Sequence, residues 1–146
     1  MVENSDVVQK ILMTLINISS RKTTEGHAVF IMDSLIKKLM GRFEFLKYIE
    51  INDTRFLEDD TPITVMGDID YVSPINIGKA IYAIIFTMND SLGKDAGHFF
   101  MKEISKSIGD EYRLTIMDMG VDLSLMQLEY EVKELEKRIL NTHKTE

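Results

Sequence analysis

The chain has 146 residues, of which 45% are hydrophobic and none is cysteine, and its formal net charge is -7. A chain of this length and composition can form one domain and bury a core without disulfides or a structural metal. The absence of cysteine excludes disulfides, thiolate-bound metals and thiol nucleophiles, and it suits a reducing cytoplasm. The acidic balance argues against binding to duplex nucleic acid or to anionic membranes, because the basic residues are scattered.

The sequence has no pattern typical of secretion or of a membrane span. No apolar run approaches the roughly 20 residues of a membrane-spanning helix. The first residues include Glu3 and Asp6 and lack the basic region of a signal peptide. We therefore expect a cytoplasmic protein with no membrane partner.

Two helices are predicted at the start of the chain. Ser5 or Asp6 can cap the first helix, whose apolar residues recur at helical spacing as far as about Ile18. Residues 19–24 form a polar break. A second helix is expected from about residue 25 to residue 40, and Gly41 follows it where a helix C′ glycine would stand.

The pattern becomes typical of β-structure between residues 43 and 71. Residues 43–51 are rich in aromatic and β-branched side chains, and residues 63–71 alternate between apolar and polar positions. Two such strands joined by the acidic loop between them most simply form an antiparallel hairpin. Asp68 and Asp70 are predicted on its solvated face, where paired carboxylates can act as acid and base or hold a cation, but more often only solvate the sheet.

The middle of the chain is predicted to be helical. Ser73 and Pro74 form a strong helix start, and residues 80–88 are apolar nearly all round, as in a central buried helix. Asp95 can cap the next helix, which is expected to end at Gly109.

In the last part of the chain, the predicted secondary structure is ambiguous before residue 120 and clearly helical after it. Residues 112–117 fit a strand or a short helix, and the flanking Asp110 and Gly120 favour the helix. Asp122 can cap a final helix. The sequence predicts one α+β domain over residues 1–146, a small antiparallel hairpin or sheet covered by five to six α-helices. A mostly helical domain with an attached hairpin is the alternative.

Residues 121–146 are predicted to form a C-terminal amphipathic helix with a frayed tail. Five of its apolar residues are spaced 3, 4, 3 and 4 apart and define what we name the seam: Leu125, Leu128, Val132, Leu135 and Ile139. This spacing lines one side of a helix over about two heptads, which is too short for an autonomous coiled coil. The seam can pack on its own domain, form a homodimer interface or bind another protein. In a parallel pair, Glu131 would face Glu136 unfavourably.

Two histidines are candidates for chemistry. Asp95 precedes His98 by three residues, so a helix would place them on one face, and Asp95 could fix the tautomer of the imidazole. His27 could join them as a ligand-binding residue or general base. The more ordinary interpretation is that His98 and His27 are first-turn helix residues. No two histidines have the spacing of metal ligands, so we expect no metal site.

Three segments resemble, in order, elements of histidine kinases. His27 at a helix start, Asn89-Asp90 at a helix end and residues 114–120 are similar to the histidine, the N-box and the D-x-G element of that family. The glycine-rich lid segments that should follow are absent, and Met119 occupies the middle of the D-x-G position. The resemblance implies at most a degenerate, non-catalytic relative and does not assign the chain to the family.

No motif for catalysis or cofactor binding is present. The Gly-x-Ser-x-Gly elbow, the phosphate-binding P-loop and the dinucleotide fingerprint are all missing. We therefore expect a non-catalytic regulatory or adaptor domain that acts through protein–protein contacts, as a homodimer, without cofactor or metal. The alternative is a small-ligand-binding or weakly enzymatic domain that uses His98, Asp95 and His27.

Overall fold

Five α-helices and a two-stranded antiparallel sheet form the fold of residues 2–52, 62–91 and 94–144, which the computed structural model describes, except for the side chains at positions 22, 94–99 and 142–144. The elements are α1 (Asn4–Lys22), α2 (Glu25–Leu39), β1 (Ile49–Ile51), β2 (Ile63–Val65), α3 (Pro74–Ser91), α4 (Lys94–Asp118) and α5 (Leu123–Lys144). The predicted α+β class is confirmed, with helices forming most of the domain. None of the described helices is long and apolar enough to cross a membrane.

Helix α1 lies at the centre of the domain and packs against α2, α3, α4 and β2. Its side chains are buried over a wide arc because apolar residues recur both three and four positions apart and at adjacent positions. The buried set is Val7, Val8, Ile11, Leu12, Leu15, Ile16 and Ile18. The helix runs to Lys22, so the predicted polar break shortens to Thr23 and Thr24. The hydroxyl of Thr24 then accepts from the backbone N–H of His27 at 3.1 Å and caps α2.

The prediction that residues 80–88 form a central helix buried all round is wrong. Helix α3 buries one side, including Ile81, Ile84 and Ile85, but Tyr82 is 38% exposed and Phe86 is 45% exposed. Apolar composition shows that a helix can be buried, whereas burial itself requires neighbours on every side. Helix α1 occupies the centre, and α3 packs against α1, α2 and α4 but leaves the stripe that contains Tyr82 and Phe86 uncovered.

The antiparallel hairpin is confirmed, with Ile49 paired to Val65 and Ile51 to Ile63. Both strands are only three residues long, shorter than predicted. Residues Glu44–Tyr48 and Gly67–Tyr71 are 3-10 turns instead.

The turn at Gly67–Tyr71 forms because Asp70 binds the start of α1. One carboxylate oxygen of Asp70 accepts from the backbone N–H of Ser5 at 2.7 Å, and the other accepts from the Ser5 hydroxyl at 3.2 Å. Helix α1 begins at Asn4, so the prediction that Ser5 or Asp6 is its cap is wrong: both lie in its first turn. Asp70 therefore does not share a strand face with Asp68. It satisfies a helix N-terminus that has no cap of its own.

Two pKa values near the start of α1 are shifted in opposite directions, and Asp70 is involved in both. The hydrogen bond from the Ser5 backbone lowers the pKa of Asp70, because it stabilises the charged carboxylate. The negative charge of Asp70 in turn raises the pKa of Glu3. The Asp70 carboxylate is therefore held in its charged form at the helix terminus.

Two glycines with positive φ shape the C-terminal third of the chain. Gly109 has φ of 82° and interrupts α4 where a helix end was predicted, and residues 112–117 are helical. Gly120, with φ of 99°, lies in the turn that leads to α5. Asp122 caps α5 as predicted, by accepting from the backbone N–H of Leu125 at 3.1 Å. Asp95 lies inside α4, which begins at Lys94, and so is not its N-cap.

Candidate functional site

The seam of α5 is exposed along its whole length. Leu125, Leu128, Val132, Leu135 and Ile139 are each between 46% and 57% exposed. Large aliphatic side chains at this exposure present, together, on the order of 450 Å² of apolar surface, comparable with the largest patch of an ordinary monomer. The seam is therefore an uncovered apolar surface on the folded chain.

The opposite side of α5 packs on its own domain. Leu123 and Met126 are buried there, and Tyr130, one turn further on, is half-buried. At about 100° per residue these side chains point roughly 180° away from the seam. The helix is thus covered on one side as far as Glu134 and bare on the other, and residues 135–141 are exposed on all sides.

Polar and cation–π side-chain contacts join α5 to α3. The hydroxyl of Tyr82 donates to the carboxylate of Glu129 at 3.4 Å, and the ammonium of Lys133 lies 5.0 Å from the ring centroid of Phe86. The rings of Tyr82 and Phe86 stack with centroids 6.3 Å apart. Burial, and then the negative charge of Glu129, raise the pKa of Tyr82.

A cleft of about 560 Å³ lies along the exposed side of α3. We name it the α3 cleft. Four residues of α3 form its floor at spacings of 4, 3 and 4: Ile75, Lys79, Tyr82 and Phe86. Arg42 and Phe43 line it from the segment after α2, and Met119 and Gly120 line it from the turn before α5. The α3 cleft and α5 therefore share Tyr82 and Phe86 as a common border.

The depth of the α3 cleft depends on a close approach at Gly78. A Cβ atom at this position would overlap the carbonyl oxygen of Met119 and lie 2.8 Å from its carbonyl carbon. Only glycine allows α3 to meet the turn at residues 119–120 so closely. This contact holds one wall of the cleft in place.

The α3 cleft is positive although the chain is acidic. Arg42 and Lys79 are both exposed, and no acidic residue is found among the described residues that line the cleft. The guanidinium of Arg42 lies 5.2 Å from the ring centroid of Phe43. An aromatic floor with two cations is suited to an amphipathic partner that carries negative charge.

A second, smaller cleft of about 330 Å³ lies between the C-terminal end of α3 and the middle of α5. Asn89, Asp90, Lys133 and Lys137 contribute to its lining. Asn89 is 5% exposed, and its side-chain oxygen has no hydrogen-bond partner among the described residues. The cleft is also lined by Glu134, and this mixture of two carboxylates and two ammonium groups favours no single class of ligand.

The predicted histidine site is not assembled by any described contact. The side chains of Asp95 and His98 lie outside the described residues. His27 is exposed in the first turn of α2. No group of three or more histidine or acidic side chains within the described parts of the chain could hold a metal ion. The ligand-binding role of these residues stays a prediction.

The three segments that resemble histidine kinases occupy separate positions. His27 lies in the first turn of α2, Asn89 is buried on α3, and residues 114–118 form the last turn of α4. Gly120 lines the α3 cleft.

The sequence does not predict the exposed floor of the α3 cleft. Tyr82 and Phe86 belong to the apolar segment 80–88, which predicts a buried helix, and Ile75 and Lys79 precede that segment. The spacing of the four floor residues, 4, 3 and 4, is the same signal that identifies the seam on α5. Lys79 within that stripe indicates a helix side that is not buried in the core. Gly78 beside it indicates a close approach of another segment to the helix.

Comparisons with protein families, with characterised proteins and with solved structures gave no significant match. Functional inference for this chain rests on the arrangement of α3 and α5.

Proposed function

We propose that this chain is a non-catalytic regulatory or adaptor domain that acts through protein–protein contacts as a homodimer, with the seam of α5 as an essential part of the interface. The supporting observation is that five regularly spaced aliphatic side chains are about half-exposed on the side of α5 that faces away from its own domain. The cytoplasm is the compartment that we assign, because the chain has no cysteine.

The energy available from the seam is enough to contribute to a dimer. Complete burial of a leucine or valine side chain gives about 1.5–3 kcal/mol, so the exposed half of each seam residue offers about 1 kcal/mol. A two-fold interface uses every seam residue twice, once from each protomer. The entropy cost of association, about 4–15 kcal/mol, consumes a large part of this gain.

Contact between two seams alone is not sufficient. It would bury on the order of 900 Å², slightly less than the roughly 1,000 Å² expected of a specific interface. A parallel pair would also bring Glu131 towards Glu136, and an antiparallel pair would bring Glu129 towards Glu136 while placing Glu131 near Arg138. The second copy must therefore offer surface beyond its own seam.

The proposal is tested by making the seam polar without changing the core. The double substitution Leu128→Gln and Leu135→Gln replaces two exposed residues by a good helix former, so the monomer fold should be unaffected. We expect the wild-type chain to have the mass of a dimer in light scattering, and this variant to have the mass of a monomer with an unchanged circular dichroism spectrum.

Leu140→Gln is the matched control. Leu140 is on the same helix and is 60% exposed, but lies about 100° around the helix from the centre of the seam. It should leave the dimer intact. A double variant that keeps the wild-type mass over the same concentration range would contradict the proposal. Truncation after Gly120 is a poorer test, because it also removes the buried Leu123 and Met126.

A further inference from the structure

We infer that the seam of each protomer lies in the α3 cleft of a second copy of the chain, so that the dimer contains two identical contacts between α5 of one protomer and α3 of the other. This inference deepens the proposed function and rests on the homodimer proposed above. It names the surface that faces the seam.

The first argument is shape. Helix α5 carries its bare apolar side outwards and stands as a ridge beside the α3 cleft, with which it shares Tyr82 and Phe86 as a border. A surface that presents a ridge and a neighbouring groove can be self-complementary about a two-fold axis, because each ridge enters the groove of the other copy. One operation then covers both exposed apolar surfaces.

The second argument is charge. Glu131 and Glu136 lie on the two flanks of the seam, about 80° and 60° from its centre. The cleft carries Arg42 and Lys79 and, among its described lining residues, no carboxylate. Both glutamates therefore face cations when the seam lies in the cleft. Between two antiparallel seams, by contrast, the favourable approach of Glu131 to Arg138 is accompanied by repulsion between glutamates. Charge complementarity favours the cleft over a second seam as the partner surface.

The third argument is area. Contact between two seams buries only those two surfaces. Placing each seam in a cleft also buries the exposed floor residues Ile75, Tyr82 and Phe86 in both protomers. These residues add on the order of 600 Å² over the two protomers, and the total of roughly 1,500 Å² lies within the range of stable interfaces, about 1,200–2,000 Å². Aromatic and arginine side chains, which the cleft supplies, are the types enriched where binding energy is concentrated.

The test uses charge reversal on each surface separately. One variant carries Arg42→Glu and Lys79→Glu in the cleft, and the other carries Glu131→Lys and Glu136→Lys beside the seam. Each variant alone turns the opposite-charge contacts into like-charge contacts at both contacts of the dimer. We therefore expect a dimer dissociation constant at least tenfold higher than that of the wild-type chain. Sedimentation equilibrium at low ionic strength measures both dissociation constants.

Mixing the two variants gives the decisive result. In a heterodimer, the reversed cleft of one chain faces the reversed seam of the other, and the second contact pairs an unchanged cleft with an unchanged seam. Both contacts are then complementary, and we expect the equimolar mixture to recover dimers with nearly wild-type affinity. The control variant Lys38→Glu and Lys106→Glu makes the same charge change at exposed positions outside the cleft and should dimerise normally.

The outcomes separate the inference from the proposed function. If the cleft variant dimerises as well as the wild-type chain, the inference is wrong while the seam-mediated dimer stands. If each variant is monomeric but the mixture does not associate, the inference is also wrong. If the wild-type chain is a monomer at every concentration, both the inference and the homodimer proposal fail, and another protein becomes the partner to seek.

Discussion

Substitution of Gly78 by alanine tests the contact that shapes the α3 cleft. Within a helix this change normally stabilises by about 1 kcal/mol, because glycine is a poor helix former. Here the added methyl group would overlap the carbonyl oxygen of Met119 and lie 2.8 Å from the carbonyl carbon, where ordinary contacts begin at 3.4 Å. The clash is with backbone, which cannot rotate away as a flexible side chain can.

The expected result follows from setting these two effects against each other. Overpacking a filled site costs about 1–3 kcal/mol, and a backbone clash belongs at or above the upper end of that range. After the helix-propensity gain is subtracted, Gly78→Ala should lower the free energy of unfolding by about 2 kcal/mol. For a chain of this size that corresponds to a fall in Tm of about 4–8 °C.

The assay is thermal and urea unfolding followed by circular dichroism at one fixed protein concentration, since dimerisation makes stability depend on concentration. Gly41→Ala is the matched control, because a Cβ at Gly41 would meet its nearest heavy atom, the carbonyl oxygen of Lys38, at 3.9 Å. It should change stability by less than about 0.5 kcal/mol. A Gly78→Ala variant as stable as the wild-type chain would refute the close packing of α3 on residues 119–120.

Two further predictions concern charged groups. Asp70→Asn should weaken the cap of α1 and lower the free energy of unfolding by about 1 kcal/mol near neutral pH. Folding lowers the pKa of Asp70. The charged carboxylate therefore contributes to the free energy of unfolding at a pH above its unfolded pKa of about 3.9, and this contribution is lost as the pH falls through its lower folded pKa. Urea unfolding at several pH values should therefore show the difference between the two proteins shrinking in acid. The raised pKa of Glu3 acts in the opposite sense, because protonation of Glu3 removes its repulsion by Asp70, so the difference rises slightly before it falls. A difference that persists at a pH below the folded pKa of Asp70 would contradict the cap. Glu129→Gln should lower the pKa of Tyr82 without returning it to its ordinary value of about 10, because burial is the larger cause of the shift. Ultraviolet titration of tyrosinate measures this change, with Tyr82→Phe identifying the contribution of Tyr82, and an unchanged titration curve would show that Glu129 and Tyr82 do not interact.

Features set by neighbouring residues were predictable from the sequence. Asp122 caps α5, Gly109 interrupts α4, and the 3-4 spacing of the seam places its five residues on one side of a helix. The hairpin was also predictable, because two β-rich segments are joined by a polar loop. Each of these features depends on side chains only a few positions apart, or on a change of periodicity between adjacent segments.

Features set by distant residues were not predictable. The alternating pattern before Tyr71 indicates a longer strand, but the chain turns because Asp70 binds Ser5, 65 positions earlier. The exposed side of α3 could not be separated from its buried side, since both are apolar and the difference lies in which helices pack against it. The α3 cleft likewise depends on the approach of Gly78 to Met119, 41 positions later in the chain.

We propose that this domain works as a homodimer through its exposed α5 surface. The measurement that tests it most directly is the solution mass of the full chain by sedimentation equilibrium over a wide range of concentration. We expect the mass to rise with concentration towards twice the chain mass of 16.8 kDa. A mass that stays at 16.8 kDa at every concentration would contradict it.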